Sequence, residues 1–385
     1  VILSRLGYWA LTNKLTFAVS LLNSHLMSYT IPRNLTGLWN TGFIVGLLFI
    51  LQMATGFLLT FNYVPCHGLA FDSLVRVLFD VNFGWAIRYL HAQGVSFIFL
   101  LMYIHVFKAL TYSIKYMILS WYTGFAIYVL IMGVAFLGYT LPNGQMSYWG
   151  STVIINLFYY FESFTKLLVG GYNVSTPTLQ RFYILHFVSP FAVLFVIILH
   201  VYYLHRQSSS NPLSYSTSVI LMRFYPTALL SDIKMFVLIV ILLIMQLGYG
   251  IIPLFQGDHA NSVMADPLST PLHIYPEWYL LLFYSLLKMC PNKDAGVLLI
   301  VSMLHTLIQI CNNYFVIIPC THLIPCRMWC EGISLFVPGC LAVSYLGYCE
   351  YSDITVLLMG FLLKVFHSGV SRYSNFFKRI EKRLE

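Results

Sequence analysis

Two long apolar stretches each carry two histidines at the same spacing, and that coincidence limits what this chain can be. The first, from Gly84 to Leu110, holds His91 and His105; the second, from Arg181 to Arg206, holds His186 and His200. Either stretch is long enough to cross a bilayer as a helix, and an ionisable side chain at that depth is a functional candidate by default. Fourteen residues at about 100° each fall roughly 40° short of four turns, so both imidazoles of a stretch share one helix face, about 21 Å apart along the axis. One helix of this kind can present ligands at two depths.

Of the 385 residues, 59% are hydrophobic and 9% are charged, where soluble domains carry about 25% charged residues. The expected fold is all-α and polytopic, with about eight transmembrane helices near 38–61, 84–110, 119–140, 183–205, 234–254, 295–318, 329–348 and 354–367. The chain divides into an N-terminal four-helix bundle over 1–210 and a C-terminal membrane part over 211–385. Residues 1–35 lack a spanning run and read as an amphipathic surface helix. The first apolar run lacks a charged leader and cleavage site, so no signal peptide is expected. With the N-terminus inside, 15 of the 21 Lys and Arg fall on the inner side, as the charge bias of membrane proteins requires. The basic tail NFFKRIEKRLE faces lipid headgroups of the bilayer, not nucleic acid.

Alternating spans place the two histidine stretches parallel, so His91 faces His186 and His105 faces His200. Two imidazoles on one haem iron give a six-coordinate centre suited to electron transfer. The eight cysteines contain no C-x-x-C-H, so two noncovalent b-type haems are expected. Cys320, His322, Cys326 and Cys330 lie close together, but their spacing fits no usual zinc pattern. Gly42 and Gly56, and Gly124 and Gly138, repeat the fourteen-residue interval in the first and third spans. As a set they are expected to offer flat places to the macrocycle edges; singly, each is an ordinary close-packing glycine. Arg88 and Lys108 flank the histidines, as partners for haem propionates or as side chains snorkelling to headgroups. A proton relay is the competing reading of the histidines, although a relay needs no common register.

Two further segments make the pattern specific: GYTLPNGQMSYWGSTVIINL after the third span, and ADPLSTPLHIYPEWYLLLFYSLLKMCPNK with its tetrapeptide Pro276–Tyr279. Together with the histidine and glycine pairs they resemble the cytochrome b family, the haem subunit of quinol:cytochrome c reductase, complex III, over about residues 36–320. The resemblance implies a low-potential outer haem on His91 and His186 and a high-potential inner haem on His105 and His200. It implies an outer quinol-oxidising site at Glu277, Tyr284, Tyr139, Phe136 and Gly150, and an inner quinone-reducing site at His205, Asp232, Trp39 and Asn40.

Residue chemistry is compatible with those roles. Quinol oxidation releases protons that a carboxylate such as Glu277 can accept, though an acid after Pro276 is also ordinary at a helix start. His205 and Asp232 can supply protons to a reduced quinone, though an Asp at the start of a span is commonly just interfacial. The chain departs from the family at Phe107 and Lys108, at Asn143 in PNG, and at Ser231. Ubiquinol and ubiquinone are the implied substrates. A Rieske iron–sulfur protein, cytochrome c1, other complex III subunits and a second copy of the assembly are the implied partners. Richness in Phe, Tyr, Leu and Ile favours the mitochondrial inner membrane over a bacterial plasma membrane. The rival readings are a b6-type subunit, whose second histidine pair is one residue wider, and a haemless transporter.

Overall fold

The computed structural model describes residues 16, 19–20, 23–112, 117–158, 161–207, 209–212, 220–309, 323–362 and 364, with backbone alone for 26, 207, 309 and 323–335. Its helices are α1 (Thr41–Leu59), α2 (Ala70–Phe79), α3 (Gly84–Tyr112), α4 (Ile118–Thr140), α5 (Gln145–Leu157), α6 (Glu162–Val169), α7 (Thr176–Gln207), α8 (Leu229–Tyr249), α9 (Leu281–Met289), α10 (Lys293–Gln309) and α11 (Leu323–Tyr348), followed by α12 (Asp353–Leu362). Among the described residues α1, α3, α4, α7 and α8 are long and apolar enough to cross a membrane. The sixth and eighth expected spans begin in α10 and α12 and run partly outside the described residues, and the seventh lies within α11.

α8 ends at Tyr249, short of the expected residue 254, because Gly250 adopts the left-handed conformation (φ +59°) that closes a helix. The Gln246 side chain then binds the departing backbone, accepting from Ile252 N at 2.7 Å and donating to Ile252 O at 3.1 Å. α7 begins seven residues before the expected 183. It tolerates Pro190 in its interior, as membrane helices do where neighbours satisfy the freed carbonyl.

Most of residues 1–22, where the amphipathic helix is expected, lies outside the described residues; the described part from 23 to 35 holds a helical turn at Asn23–Met27 and a strand, β1 (Thr30–Pro32). β1 pairs antiparallel with β2 (Leu221–Arg223), matching Thr30 with Arg223 and Ile31 with Met222. Pro32 cannot extend a helix interior, and Thr30 and Ile31 are β-branched, so the edge pairing suits them better. This pair joins the N-terminal arm to the approach of α8 beside the first bundle.

α1 packs along α3, and α4 along α7. Between them lies a core of Ile44, Leu48, Phe97, Phe99, Met102, Ile131 and Val193, all buried, joined by Leu243 of α8 and by Phe255 and Tyr279 from the loops beyond. The outward faces are as apolar as the core: Phe191, Phe195 and Ile198 of α7 and Val237, Ile241 and Ile244 of α8 are exposed. In water such a surface would be an association site; in a bilayer it is the lipid face.

The departure at Asn143 has a local cause. Asn143 sits at φ +52°, a region Asn enters more readily than most residues, and is 1% exposed. Its Nδ2 donates to His67 O at 2.8 Å, and its carbonyl accepts from Ala265 N at 3.0 Å. Beside it, Asn261 Oδ1 accepts from Ser147 N at 2.9 Å and Ser147 Oγ at 3.0 Å, so the α4–α5 turn is fastened to the 258–265 loop. Asn143→Ala should cost about 2–3 kcal/mol, part from the left-handed backbone and part from the orphaned His67 carbonyl. Asn143→Gly should recover only the backbone part, and thermal unfolding of the solubilised protein measures both.

Candidate functional site

The long helices bring the four histidines into two pairs. The His91 and His186 ring centroids lie 6.2 Å apart with planes at 89°, and those of His105 and His200 lie 6.3 Å apart at 64°. Each ring is held at Nδ1. Thr55, Thr41 and Thr123 place Oγ1 at 3.0, 3.1 and 3.0 Å from the Nδ1 of His91, His105 and His200, while the Val134 carbonyl lies 2.8 Å from that of His186.

These contacts fix the tautomer. A threonine hydroxyl has one hydrogen, and each of these is donated to its own helix: Thr55 to Leu51 O at 2.9 Å, Thr41 to Leu38 O at 2.8 Å and Thr123 to Leu119 O at 3.0 Å. A carbonyl can only accept, so His186 carries its proton on Nδ1; with the threonine hydrogens on the backbone carbonyls, the hydroxyl oxygens accept from the other three rings in the same way. Every Nε2 is left with a bare lone pair. Imidazole nitrogens sit about 2 Å from a bound first-row metal ion, so two rings sharing one ion have centroids roughly 6 Å apart. Both pairs fit that spacing. Among the described residues no cluster of three or more His, Cys, Asp or Glu could hold a metal ion. Cys320 and His322 and the side chains of Cys326 and Cys330 lie outside the described residues.

A Cβ on Gly42, Gly56, Gly124 or Gly138 would meet Cε1 of His105, His91, His200 or His186 at 2.9, 2.8, 3.1 or 2.5 Å. These glycines make room for the imidazoles. The threonines escaped the sequence reading, yet a signal was present: Thr41, Thr55 and Thr123 each directly precede one of these glycines.

At the inner end a cavity of about 950 Å³ joins the His105–His200 pair to Trp39, Asn40, His205 and Asp232. Asn40 Nδ2 donates to Asp232 Oδ1 at 2.6 Å and reaches Ser231 Oγ at 3.3 Å. Trp39 Nε1 donates to Ser210 Oγ at 3.2 Å, and Lys108 Nζ lies 5.5 Å from the centre of the Trp39 ring. His205 stacks on Tyr29 at 4.4 Å, with its Nδ1 3.1 Å from that of His25. Phe107 packs on Phe336 of α11 at 6.0 Å, which gives its bulk a partner.

At the opposite end Glu277 opens the 3₁₀ turn Trp278–Leu280. Burial, and then the nearby negative charge of Asp258, push its carboxyl from the ordinary 4.5 up to about 7. Tyr139 is near enough for its phenol and Glu277 to act on one another electrostatically. Tyr275 hydrogen-bonds to Asp258 and Tyr348; the Asp258 bond and burial hold its phenol well above the usual range. Tyr284 Oη donates to Ile274 O at 2.8 Å. Phe136 packs on Phe182 at 6.0 Å, with Ile155 and Val169, and Gly150 faces open space. Asp258 and Tyr275 were not foreseen, since nothing local in sequence links them to Glu277.

Two facing histidine pairs in an apolar helical bundle place the chain in the class of membrane-embedded b-type cytochromes. The family model described as Cytochrome b/b6/petB matches residues 26–208, and that described as Cytochrome b(C-terminal)/b6/petD matches residues 264–367. Cytochrome b of Plasmodium chabaudi is 39% identical over 357 residues, 92% of this chain and 94% of that protein. Cytochrome b of Theileria parva is 49% identical over 290 residues, 75% of this chain and 80% of that protein. A chain of a hyperthermophilic respiratory complex III superposes with a TM-score of 0.85 at 24% identity, covering 95% of this chain and 98% of that one. The chain belongs to the cytochrome b family.

Raised above its unfolded value, the Glu277 carboxyl favours the folded loop while protonated, and that contribution is lost as pH rises from about 4.5 through about 7. Asp258→Asn should lower the Glu277 pKa, and the carboxyl infrared band, followed against pH, reports the shift.

Proposed function

We propose that this chain is the haem-bearing catalytic subunit of complex III in the mitochondrial inner membrane, oxidising ubiquinol at the Glu277 end and reducing ubiquinone at the Asp232 end. The observation that carries the proposal is the pair of facing histidine couples whose Nε2 lone pairs are bare and whose Nδ1 protons are held. A proton relay needs no matched spacing, whereas here both pairs sit at the centroid separation of two imidazoles sharing one ion. His91 and His186 would hold the outer haem, and His105 and His200 the inner one. When bound, these groups supply one-electron transfer along the membrane normal.

The chain's own residues manage protons and position. Glu277, with a pKa near working pH, accepts a proton from a quinol hydroxyl, and Asp258 and Tyr275 continue the polar path away from it. At the inner end Asn40 orients the Asp232 carboxyl, and Asp232 and His205 deliver protons to quinone oxygens within the cavity they line. Lys108, lining that cavity beside His105, provides the cation for a haem propionate. Arg88 donates to Leu74 O at 3.3 Å, leaving its other guanidinium donors for the outer propionates. A Rieske protein and cytochrome c1 take the other electron of each quinol, in a dimeric assembly with the remaining subunits.

Redox titration of the purified assembly should resolve two b-type components. His91→Ala, or Gly138→Val, which drives a side chain into the His186 ring, should remove the outer component and spare the inner one. Glu277→Gln should slow quinol oxidation by roughly 10²-fold while both components remain. A spectrum without b-type bands would return the histidines to a relay.

A further inference from the structure

α3 carries the histidines on one face and a second set of contacts on another. Ser96, Phe99 and Tyr103 follow His91 by five, eight and twelve residues, which centres them roughly 130° round the helix from the imidazoles. All three meet the segment that contains Glu277. Trp278 Nε1 donates to Ser96 Oγ at 3.1 Å. The Phe99 and Tyr279 rings stack at 4.0 Å with planes 3° apart. Tyr103 Oη donates to Tyr279 O at 2.5 Å, and Tyr128 Oη donates in turn to Tyr103 Oη at 3.5 Å, leaving the Tyr103 hydrogen for the carbonyl.

This grip is unusual for a loop segment. Ser96 is 4% exposed, Phe99 0% and Tyr279 5%, so the contacts are made in an apolar interior, where a lost partner is costly. They fall on the two residues directly after Glu277, and the 3₁₀ turn that Glu277 opens has no side-chain cap of its own. The placement of the carboxyl therefore depends on α3.

We propose that Ser96 and Tyr103 are positioning residues of the outer quinol site: by anchoring Trp278 and Tyr279 to the back of the histidine-bearing helix, they fix the Glu277 carboxyl relative to the His91–His186 pair. The proposal rests on the reading of Glu277 as the outer-site base. It gives α3 a second task. The helix that presents the outer pair's ligand also sets where the proton acceptor stands, so both move as one body. Neither anchor touches the reacting atoms.

The test uses the assembled complex carrying Tyr103→Phe, Ser96→Ala or Glu277→Gln, assayed with a short-chain ubiquinol. Four quantities are read: kcat, KM, the pH profile of quinol oxidation and the reduced-minus-oxidised b spectrum. Tyr103→Phe and Ser96→Ala should each keep the full b absorbance, raise KM for the quinol roughly two- to tenfold, as loss of one hydrogen bond allows, and displace the pH profile. Ser96→Thr, which keeps the hydroxyl, should restore the wild-type profile. Wild-type KM and pH profile in both anchor variants would overturn the proposal. So would loss of haem absorbance in proportion to activity, since Tyr103 would then serve only α3 itself. Wild-type turnover by Glu277→Gln overturns the outer-site assignment alone; impaired Glu277→Gln beside unaffected anchor variants overturns the anchors alone.

Discussion

Four half-buried imidazoles in an apolar bundle must be satisfied at one nitrogen and left bare at the other, and the helix pairing serves that requirement. A neutral ring with an unpaired N–H in such surroundings would cost about 1–3 kcal/mol. The remedy is a hydroxyl that has already spent its hydrogen on its own helix, as at Thr41, Thr55 and Thr123, or a carbonyl, as at Val134. A neighbouring glycine lets the ring come close enough to use it. The four contacts therefore determine which helices pack together: α1 must lie along α3, and α4 along α7.

That arrangement explains the shared interval of fourteen. α1 runs antiparallel to α3, so Gly42 meets His105 and Gly56 meets His91; likewise Gly124 meets His200 and Gly138 meets His186. Two antiparallel helices stay in register only when their repeats match, so an interval on one fixes the interval on the other. An insertion of one residue between the glycines of α1 would turn the second through about 100° and bury a side chain against a histidine.

This is also why so much was legible before the structure. Span positions, the parallel relation of α3 and α7 and the facing of His91 with His186 follow from helix period and alternation, which sequence records directly. What escaped depends on contacts between distant segments. Asp258 meets Glu277 only because the 258–265 loop is fastened to the α4–α5 turn by Asn261 and Asn143. β1 finds β2 nearly 190 residues away. Phe136 packs on Phe182 of α7, a partner that no spacing along α4 reveals. Spacing groups the glycines, but which imidazole each one faces is visible only in the structure.

The two ends of the bundle solve different problems. At the outer end the carboxyl of Glu277 is enclosed, its segment bonded to α3 and its loop stapled to the α4–α5 turn, so its proton affinity is raised and its position defined. At the inner end Asp232 has one strong partner, Asn40, while His205 leans on Tyr29 and His25 at the margin of an open cavity. The departures at Ser231 and Phe107 both fall at that open end. Ser231 adds a hydroxyl as the second partner of Asn40, beside the Asp232 carboxylate, and Phe107 fills against α11.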